Sequence, residues 1–276
     1  MDAKSLIKMY NREKTSTERS NFNDIYETCA EFCNPKADDI QSKKTKGERT
    51  DSQRVTDIGI KARRMFTAGM MSHLFPQGQN WIRVITTDRE LMNNDNVTRA
   101  LSSVSKKFIN AIENSNFYEE MGQCIDHCAY IGTTTLYCEP DKKNFINWRS
   151  HYINQFYFCE NYQGQIDTII REFKLTARQA VQQFGDSCPQ SIIDEAGNMT
   201  TQTREHQFIH VVMPRNNYTP NTSKKESKKV ASYYVSLTTK EIVMESGFDE
   251  MPYAVGRFYK TNFEKYGRSP ASEVIN

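Results

Sequence analysis

Apolar side chains in the first half of the chain recur every three or four residues, which is the spacing of amphipathic helices. One stripe predicts a helix that ends at Asn34-Pro35, and its members are Phe22, Ile25, Tyr26, Cys29, Phe32 and Cys33. A second stripe predicts a long helix capped by Asp51 and closed by Pro76 and Gly78. Its members are Val55, Ile58, Ala62, Met65, Phe66, Gly69 and His73.

The pattern changes along the chain from helical to alternating. Two further helices are predicted from about Asn94 and around Met121, after a short predicted strand at 81–85. Beyond residue 130, short alternating runs separated by turn residues are typical of β-strands. These predicted strands cover 133–139, 145–148, 156–159, 165–174, 208–213, 230–237, 242–245 and 253–259. A short helix capped by Thr176 and ended by Gly185 interrupts them.

This order of elements predicts an α+β fold, with helices first and short antiparallel strands after them. We expect a mainly helical part at 1–130, a mainly β part at 131–262 and a third part at 263–276. Ser269-Pro270 begins a helix there, because serine supplies a cap oxygen and proline suits the first helical position. An isolated turn is unstable in water, so we expect the natural protein to continue beyond Asn276.

The charge balance disfavours a protein that grips nucleic acid over its whole surface. The 276 residues carry 36 basic and 34 acidic side chains, a net charge of +2. Two polar loops hold basic clusters that are candidates for weak phosphate or partner contacts, although a solvated loop is the favoured interpretation of each. The clusters are Lys43, Lys44, Lys46 and Arg49, and Lys224, Lys225, Lys228 and Lys229.

No apolar run is long enough for a membrane span, and the N-terminus lacks the apolar stretch of a signal peptide. A soluble protein made in a cytoplasm, with no membrane partner, is therefore expected. The seven cysteines are expected to be free thiols, since such a compartment is reducing.

Two cysteine pairs offer candidate metal chemistry. Cys29 with Cys33, and Cys124 with Cys128, each place two thiols on one helix face. Four thiolates can hold zinc, but each cysteine also fits an apolar stripe as a small hydrophobe, and that second interpretation is favoured. The chain has no nucleophile-elbow, zinc-protease or phosphate-loop motif. We therefore predict neither catalysis nor a cofactor, and keep a metal- or nucleic-acid-binding regulator as the alternative.

Five segments in order resemble the portal, or head-to-tail connector, family of short-tailed bacteriophages. The first is Glu18-Arg19 with the helix that ends at Asn34-Pro35, and the second is 57–81, DIGIKARRMFTAGMMSHLFPQGQNW. The others are 126–139 (DHCAYIGTTTLYCE), 161–185, and 252–270 with its Tyr-Gly-Arg-Ser-Pro motif. Together they span nearly the whole chain.

The resemblance implies a structural subunit of a ring at one capsid vertex, with about twelve copies in heterologous contact. Double-stranded DNA would pass through that ring during packaging and ejection. The implied partners are further copies of the chain, capsid protein, terminase and tail adaptor proteins, in the virion and, during assembly, in the host cytoplasm. This chain would form the wing, and the family's stem and clip would follow it.

Within that resemblance, the motif Tyr266, Gly267, Arg268, Ser269 and Pro270 is the candidate joint between wing and stem. Gly267 is expected to permit a backbone turn that other residues resist. Arg268 is expected to bind a carboxylate with two hydrogen bonds, either of its own stem or of a neighbouring subunit. A simple turn and helix cap is the alternative interpretation.

Overall fold

The fold was analysed in a computed structural model that describes residues 1–35, 40–41, 56–141, 145–220 and 222–275. The helices are α1 (Ala3–Lys14), α2 (Thr17–Cys33), α3 (Ile58–Leu74), α4 (Arg89–Met92), α5 (Asp95–Glu113), α6 (Phe117–Tyr130), α7 (Ala177–Phe184), α8 (Gln190–Gly197) and α9 (Pro270–Val274). The strands are β1 (Thr133–Asp141), β2 (Phe145–His151), β3 (Phe156–Glu160), β4 (Ile166–Thr176), β5 (Glu205–Pro214), β6 (Val230–Ser236), β7 (Glu241–Phe248) and β8 (Tyr253–Arg257). The predicted α+β class is confirmed.

One sequence prediction about local structure was wrong, and another lies outside the described residues. Helix α3 begins at Ile58 with Asp57 as its N-cap residue, and the predicted cap Asp51 lies outside the described residues. Residues 81–85 form no strand. The backbone N–H of Val84 instead donates to the hydroxyl of Ser105 on α5, at 2.9 Å. A side chain therefore satisfies a backbone donor that a neighbouring strand would otherwise take.

The strands form two sheets. Five of them make an antiparallel meander in the order β3-β4-β5-β6-β7, and three make a smaller sheet in the order β2-β1-β8. By contacts the chain divides into two compact units. Unit 1 is Met1–Asp24, Tyr152–Tyr253 and Phe263–Lys265, and unit 2 is Ile25–His151, Ala254–Asn262 and Tyr266–Asn276. The division at 1–130, 131–262 and 263–276 follows element type instead, and as a division into domains it stays a prediction.

In unit 1 the five-stranded sheet is covered by helices on both faces. Leu6 and Tyr10 of α1 pack on one face, against side chains such as Val211 and Tyr233. Helices α7 and α8 pack on the other face, against Phe208 among others. Side chains alternate between the two faces of a strand, so neighbours such as Phe208 and Ile209 enter different cores.

In unit 2, helix α6 leads directly into the first strand of the small sheet. Its Phe117 and Cys124 form a buried cluster with Ile112 of α5 and Leu136 of β1. Gly132 alone separates Ile131, which closes α6, from the first residue of β1. This short connection is where the C-terminal segment of unit 2 is held. No helix among the described residues has the length and apolar character needed to cross a bilayer.

Candidate functional site

The backbone of the motif at 266–270 crosses the connection between α6 and β1 at van der Waals contact. Gly132 has a positive φ of 81°, and a Cβ added to it would lie 2.3 Å from the carbonyl carbon of Arg268. Gly267 faces the same crossing, since a Cβ there would lie 2.7 Å from the carbonyl oxygen of Gly132. Real Cβ atoms do not come this close to backbone atoms, so each glycine is required by the approach of the other segment.

The geometry gives a different reason for glycine at position 267 than the one predicted from the sequence. Gly267 does not adopt a positive φ, whereas Gly132 does. The expectation that Gly267 permits an unusual turn was therefore wrong. The absent side chain matters instead, because a methyl group at Gly267 would collide with Gly132 and with Arg257, whose Cβ would lie 2.9 Å away.

One threonine hydroxyl joins the two segments. The backbone N–H of Gly267 donates to Oγ1 of Thr133 at 2.8 Å. The hydroxyl of Tyr26 on α2 donates to the carbonyl of Gly267 at 3.1 Å and lies 3.0 Å from the same Thr133 oxygen. All these groups are buried. Buried polar groups are costly when unpaired, so the three residues specify one position for the motif.

The motif continues on either side of this contact. Arg268 and Tyr259 exchange both backbone hydrogen bonds, at 2.8 and 3.1 Å, in an antiparallel bridge. Tyr266 is fully buried. The carboxylate partner predicted for the Arg268 guanidinium stays a prediction.

Ser269 anchors the start of α9 to the end of α6. Its hydroxyl donates to the carbonyl of Tyr130 at 2.9 Å and accepts from the backbone N–H of Ser272 at 3.1 Å. Pro270 occupies the first turn of α9. The predicted helix start at Ser269-Pro270 is confirmed, and the cap oxygen also makes a tertiary contact.

One thiol bonds to the motif, and a charged pair joins helices α3 and α6. The thiol of Cys29 bonds to Ser269, and burial raises the pKa of Cys29 to about 11, so it is neutral. On the neighbouring surface of α6, Asp126 accepts from Thr67 at 3.2 Å and lies 3.4 Å from Arg63. Burial raises the pKa of the Asp126 carboxyl, and Arg63 opposes that effect. These groups fix α3 against α6.

Among the described residues, the histidines, cysteines and carboxylates form no group of three or more suited to a metal ion. Burial raises the pKa values of Cys33, Cys124 and Cys128 as well. Cys29, Cys33 and Cys124 are buried, as expected if cysteine acts as a small hydrophobe. The zinc-based alternative gains no support here.

The second lysine cluster lies in the loop between β5 and β6. Lys224, Lys225 and Lys229 are exposed, and Lys228 pairs with Asp249 at 2.5 Å. The other cluster, Lys43, Lys44, Lys46 and Arg49, lies outside the described residues. Contact of either cluster with phosphate stays a prediction.

His210, a fully buried histidine, lies in unit 1. Its two ring nitrogens bond to the hydroxyls of Tyr253 at 3.0 Å and Ser232 at 2.9 Å. Its ring stacks on Tyr234 with centroids 4.1 Å apart. Burial, reinforced by the charge of Arg171, lowers the pKa of His210 to about 3. His210 is therefore a neutral core residue at physiological pH.

Sequence reasoning selected the motif but missed the groups that hold it. Tyr26, Gly132 and Thr133 lie far from residues 266–270 along the chain, and no periodic pattern connects them. The available signal was Gly132 itself, a glycine between a helical stripe and a β-type run. Such a glycine indicates a positive φ or a close backbone approach, and here both occur.

Comparison with known families gives this geometry a context. The sequence pattern of the family described as "Bacteriophage head to tail connecting protein" matches residues 4–276. The chain belongs to this head-to-tail connecting family. A portal protein of Salmonella phage epsilon15 is 26% identical to this chain over 256 residues, which cover 91% of this chain and 46% of the relative. A probable portal protein of Bordetella phage BPP-1 is 25% identical over 268 residues, covering 94% of this chain and 47% of the relative.

The chain thus spans about half the length of the curated connector relatives that it matches. The five segments that resemble the connector family all lie within the matched range. In this connector chain, buried hydrogen bonds join the motif to α6, β1 and α2.

Proposed function

We propose that the chain is part of a structural portal subunit, which assembles with about twelve copies into a closed ring with heterologous contacts. The ring would occupy one capsid vertex, and double-stranded DNA would pass through it during packaging and ejection. The match of the connecting-protein family over residues 4–276 carries this proposal. The names of the two phage relatives support it.

The proposed role requires no bond-making chemistry from these residues. The chain would build the ring wall, contact capsid protein and hold the elements that meet terminase and tail adaptor proteins. Assembly would take place in the host cytoplasm, and the finished ring would reside in the virion. The near-balanced charge suits a passage along which a duplex must slide, since clustered positive charge would retain it.

Within this role we assign the joint that fixes α9 to the rest of unit 2 to Tyr266, Gly267, Arg268, Ser269 and Pro270. The support is local: Thr133 and Tyr26 bind Gly267, and Ser269 binds the end of α6. The Arg268 guanidinium would extend the joint to a carboxylate of the stem or of the next subunit.

The first experiment is negative-stain microscopy of the purified full-length protein, together with mass photometry. A ring with a central hole is the expected result. A protein that stays monomeric under virion-like conditions would contradict the proposal. Metal analysis of the same sample separates the alternative regulator, for which one zinc per chain would be found.

The joint is tested by Arg268→Ala, with Arg257→Ala as a matched arginine on the adjoining strand. We expect Arg268→Ala to reduce the fraction of protein in rings at a given concentration, and Arg257→Ala to reduce it less. Equal ring fractions in Arg268→Ala and the unsubstituted protein would remove Arg268 from the joint. Circular dichroism of both variants checks that they fold.

A further inference from the structure

Helix α3 is far more apolar than its burial explains. Its 17 residues include seven large apolar side chains, yet none of its residues is buried. Those seven are Ile58, Ile60, Met65, Phe66, Met70, Met71 and Leu74. Ile58 is 69% exposed and Met65 is 75% exposed. A helix that is apolar on most sides is normally covered on most sides, and among the described residues no element covers the exposed side of α3.

The exposed side of α3 also contains a glycine that unit 2 does not explain. A Cβ added at Gly69 would meet nothing within 4 Å. Glycine in a helix interior is less favourable than alanine, and unlike Gly132 and Gly267, Gly69 makes no close backbone contact with the described residues that would require a glycine. At Gly69, beside Met65 on the outward side, a close approach by a partner would supply such a contact.

An open apolar cavity lies beside the first turns of α3. Its volume is about 500 Å³, which is room for more than one apolar side chain. The residues that matter for the argument are Phe32, Ile58, Phe66 and Val274, and Arg63 is the charged group in its lining. The exposed Arg64 adds positive charge next to it, and α3 contains no acidic residue.

The complementary surface occurs on the same unit, around α4. In the segment 85–95, Ile85 is 63% exposed and Leu91 is 45% exposed. The exposed acidic residues Asp88, Glu90 and Asp95 lie beside them. The segment 85–95 contains one basic residue, Arg89, against three acidic ones. Its apolar side chains and net negative charge therefore complement the apolar cavity and the basic residues Arg63 and Arg64 beside it.

We propose that the face of α3 around Ile58, Met65 and Gly69, together with the adjoining cavity, is the docking site for a second copy of this chain. The second copy inserts Ile85 and Leu91, and its Glu90 lies near Arg64. The two surfaces differ, so the contact is heterologous and repeats from copy to copy until it closes. This inference rests on the proposed ring and assigns its subunit interface.

The test uses the full-length protein and measures the concentration at which rings form. We expect Leu91→Asp and Met65→Asp each to raise that concentration at least about tenfold, because each places a charge in an apolar contact. Val104→Asp is the matched control, since Val104 is an exposed apolar residue of α5, 49% exposed, outside both surfaces. It should assemble like the unsubstituted protein.

A charge exchange tests the pairing itself. Arg64→Glu and Glu90→Arg should each weaken assembly, whereas the chain that carries both should regain it. Unchanged assembly in the aspartate variants, equal damage from Val104→Asp, or no recovery in the double variant would overturn the interface. Loss of capsid or tail attachment with intact rings would assign the face to another partner. If the unsubstituted protein forms no ring, the proposed function fails first.

Discussion

The crossing of Gly132 and Gly267 makes a sharp prediction about stability. Gly267→Ala would place a methyl group 2.7 Å from the carbonyl oxygen of Gly132 and 2.9 Å from Cβ of Arg257. Neither is the end of a flexible side chain, so a segment must move. Overpacking of this kind costs about 1–3 kcal/mol. Weakening the bond from Gly267 N–H to Thr133 adds about 1 kcal/mol. We expect a total loss of about 2–4 kcal/mol.

The assay is thermal unfolding followed by circular dichroism, with urea unfolding as a second measurement. For a chain of this size the expected loss corresponds to a fall in Tm of roughly 4–8 °C. Gly122→Ala is the matched control: Gly122 lies inside α6, and a Cβ there meets nothing within 4 Å. That substitution should stabilise the protein by up to about 1 kcal/mol. The same glycine-to-alanine change should therefore lower the free energy of unfolding at Gly267 and raise it at Gly122.

A third variant tests whether the two glycines act at one contact. Gly132→Ala should destabilise more than Gly267→Ala, because φ at Gly132 is 81° and the new Cβ would lie 2.3 Å from backbone. Once one substitution has opened the crossing, the second should cost less, so the two losses should not add. If Gly267→Ala proves as stable as Gly122→Ala, or if the losses are fully additive, the reasoning is refuted.

Two further predictions concern buried polar groups. Thr133→Val keeps the side-chain volume but leaves the Gly267 N–H without its acceptor, so it should lower the free energy of unfolding by about 1–3 kcal/mol. Thr133→Ser keeps the hydroxyl and should lower it less, as measured by urea unfolding. Equal losses in the two variants would show that the hydroxyl does not hold the joint. The pKa of His210 is about 3 in the folded protein, against an ordinary value of 6.5. Between these values the unfolded chain binds a proton that the folded protein does not. The contribution of His210 to the free energy of unfolding is therefore complete above pH 6.5 and is lost as the pH falls toward 3. His210→Gln should flatten the pH dependence of unfolding between these values, and an unchanged slope would contradict this.

Local patterns predicted most of the elements but little of what holds them together. The stripe from Phe22 to Cys33 predicted α2, and Ser269-Pro270 predicted the start of α9, because these signals lie within a few residues of the structure they specify. The bond from Gly267 to Thr133 joins residues 134 positions apart. No periodicity encodes such a pair, so the joint could be predicted only as a motif and not as a contact.

The errors of the sequence analysis also have physical reasons. At 81–85 the alternation was real, but the backbone donor of Val84 bonds to Ser105 instead of to a strand. The sequence analysis identified Gly267 as important but gave the wrong reason for it. A close backbone approach and a positive φ both require glycine, and the sequence does not distinguish them. The apolar stripe of α3 predicted a helix, yet periodicity alone does not reveal whether the covering surface belongs to the same chain.

The attachment of α9 to the rest of unit 2 determines how a force applied to α9 would be transmitted. A pull on α9 reaches Ser269 within one residue and Gly267 within three, and there it divides between the end of α6 and the start of β1. Backbone bonds between Arg268 and Tyr259 share the load with the segment that follows β8. Several short links must then break together before the segment can peel away, so these links, and not its own length, anchor the five-residue helix α9.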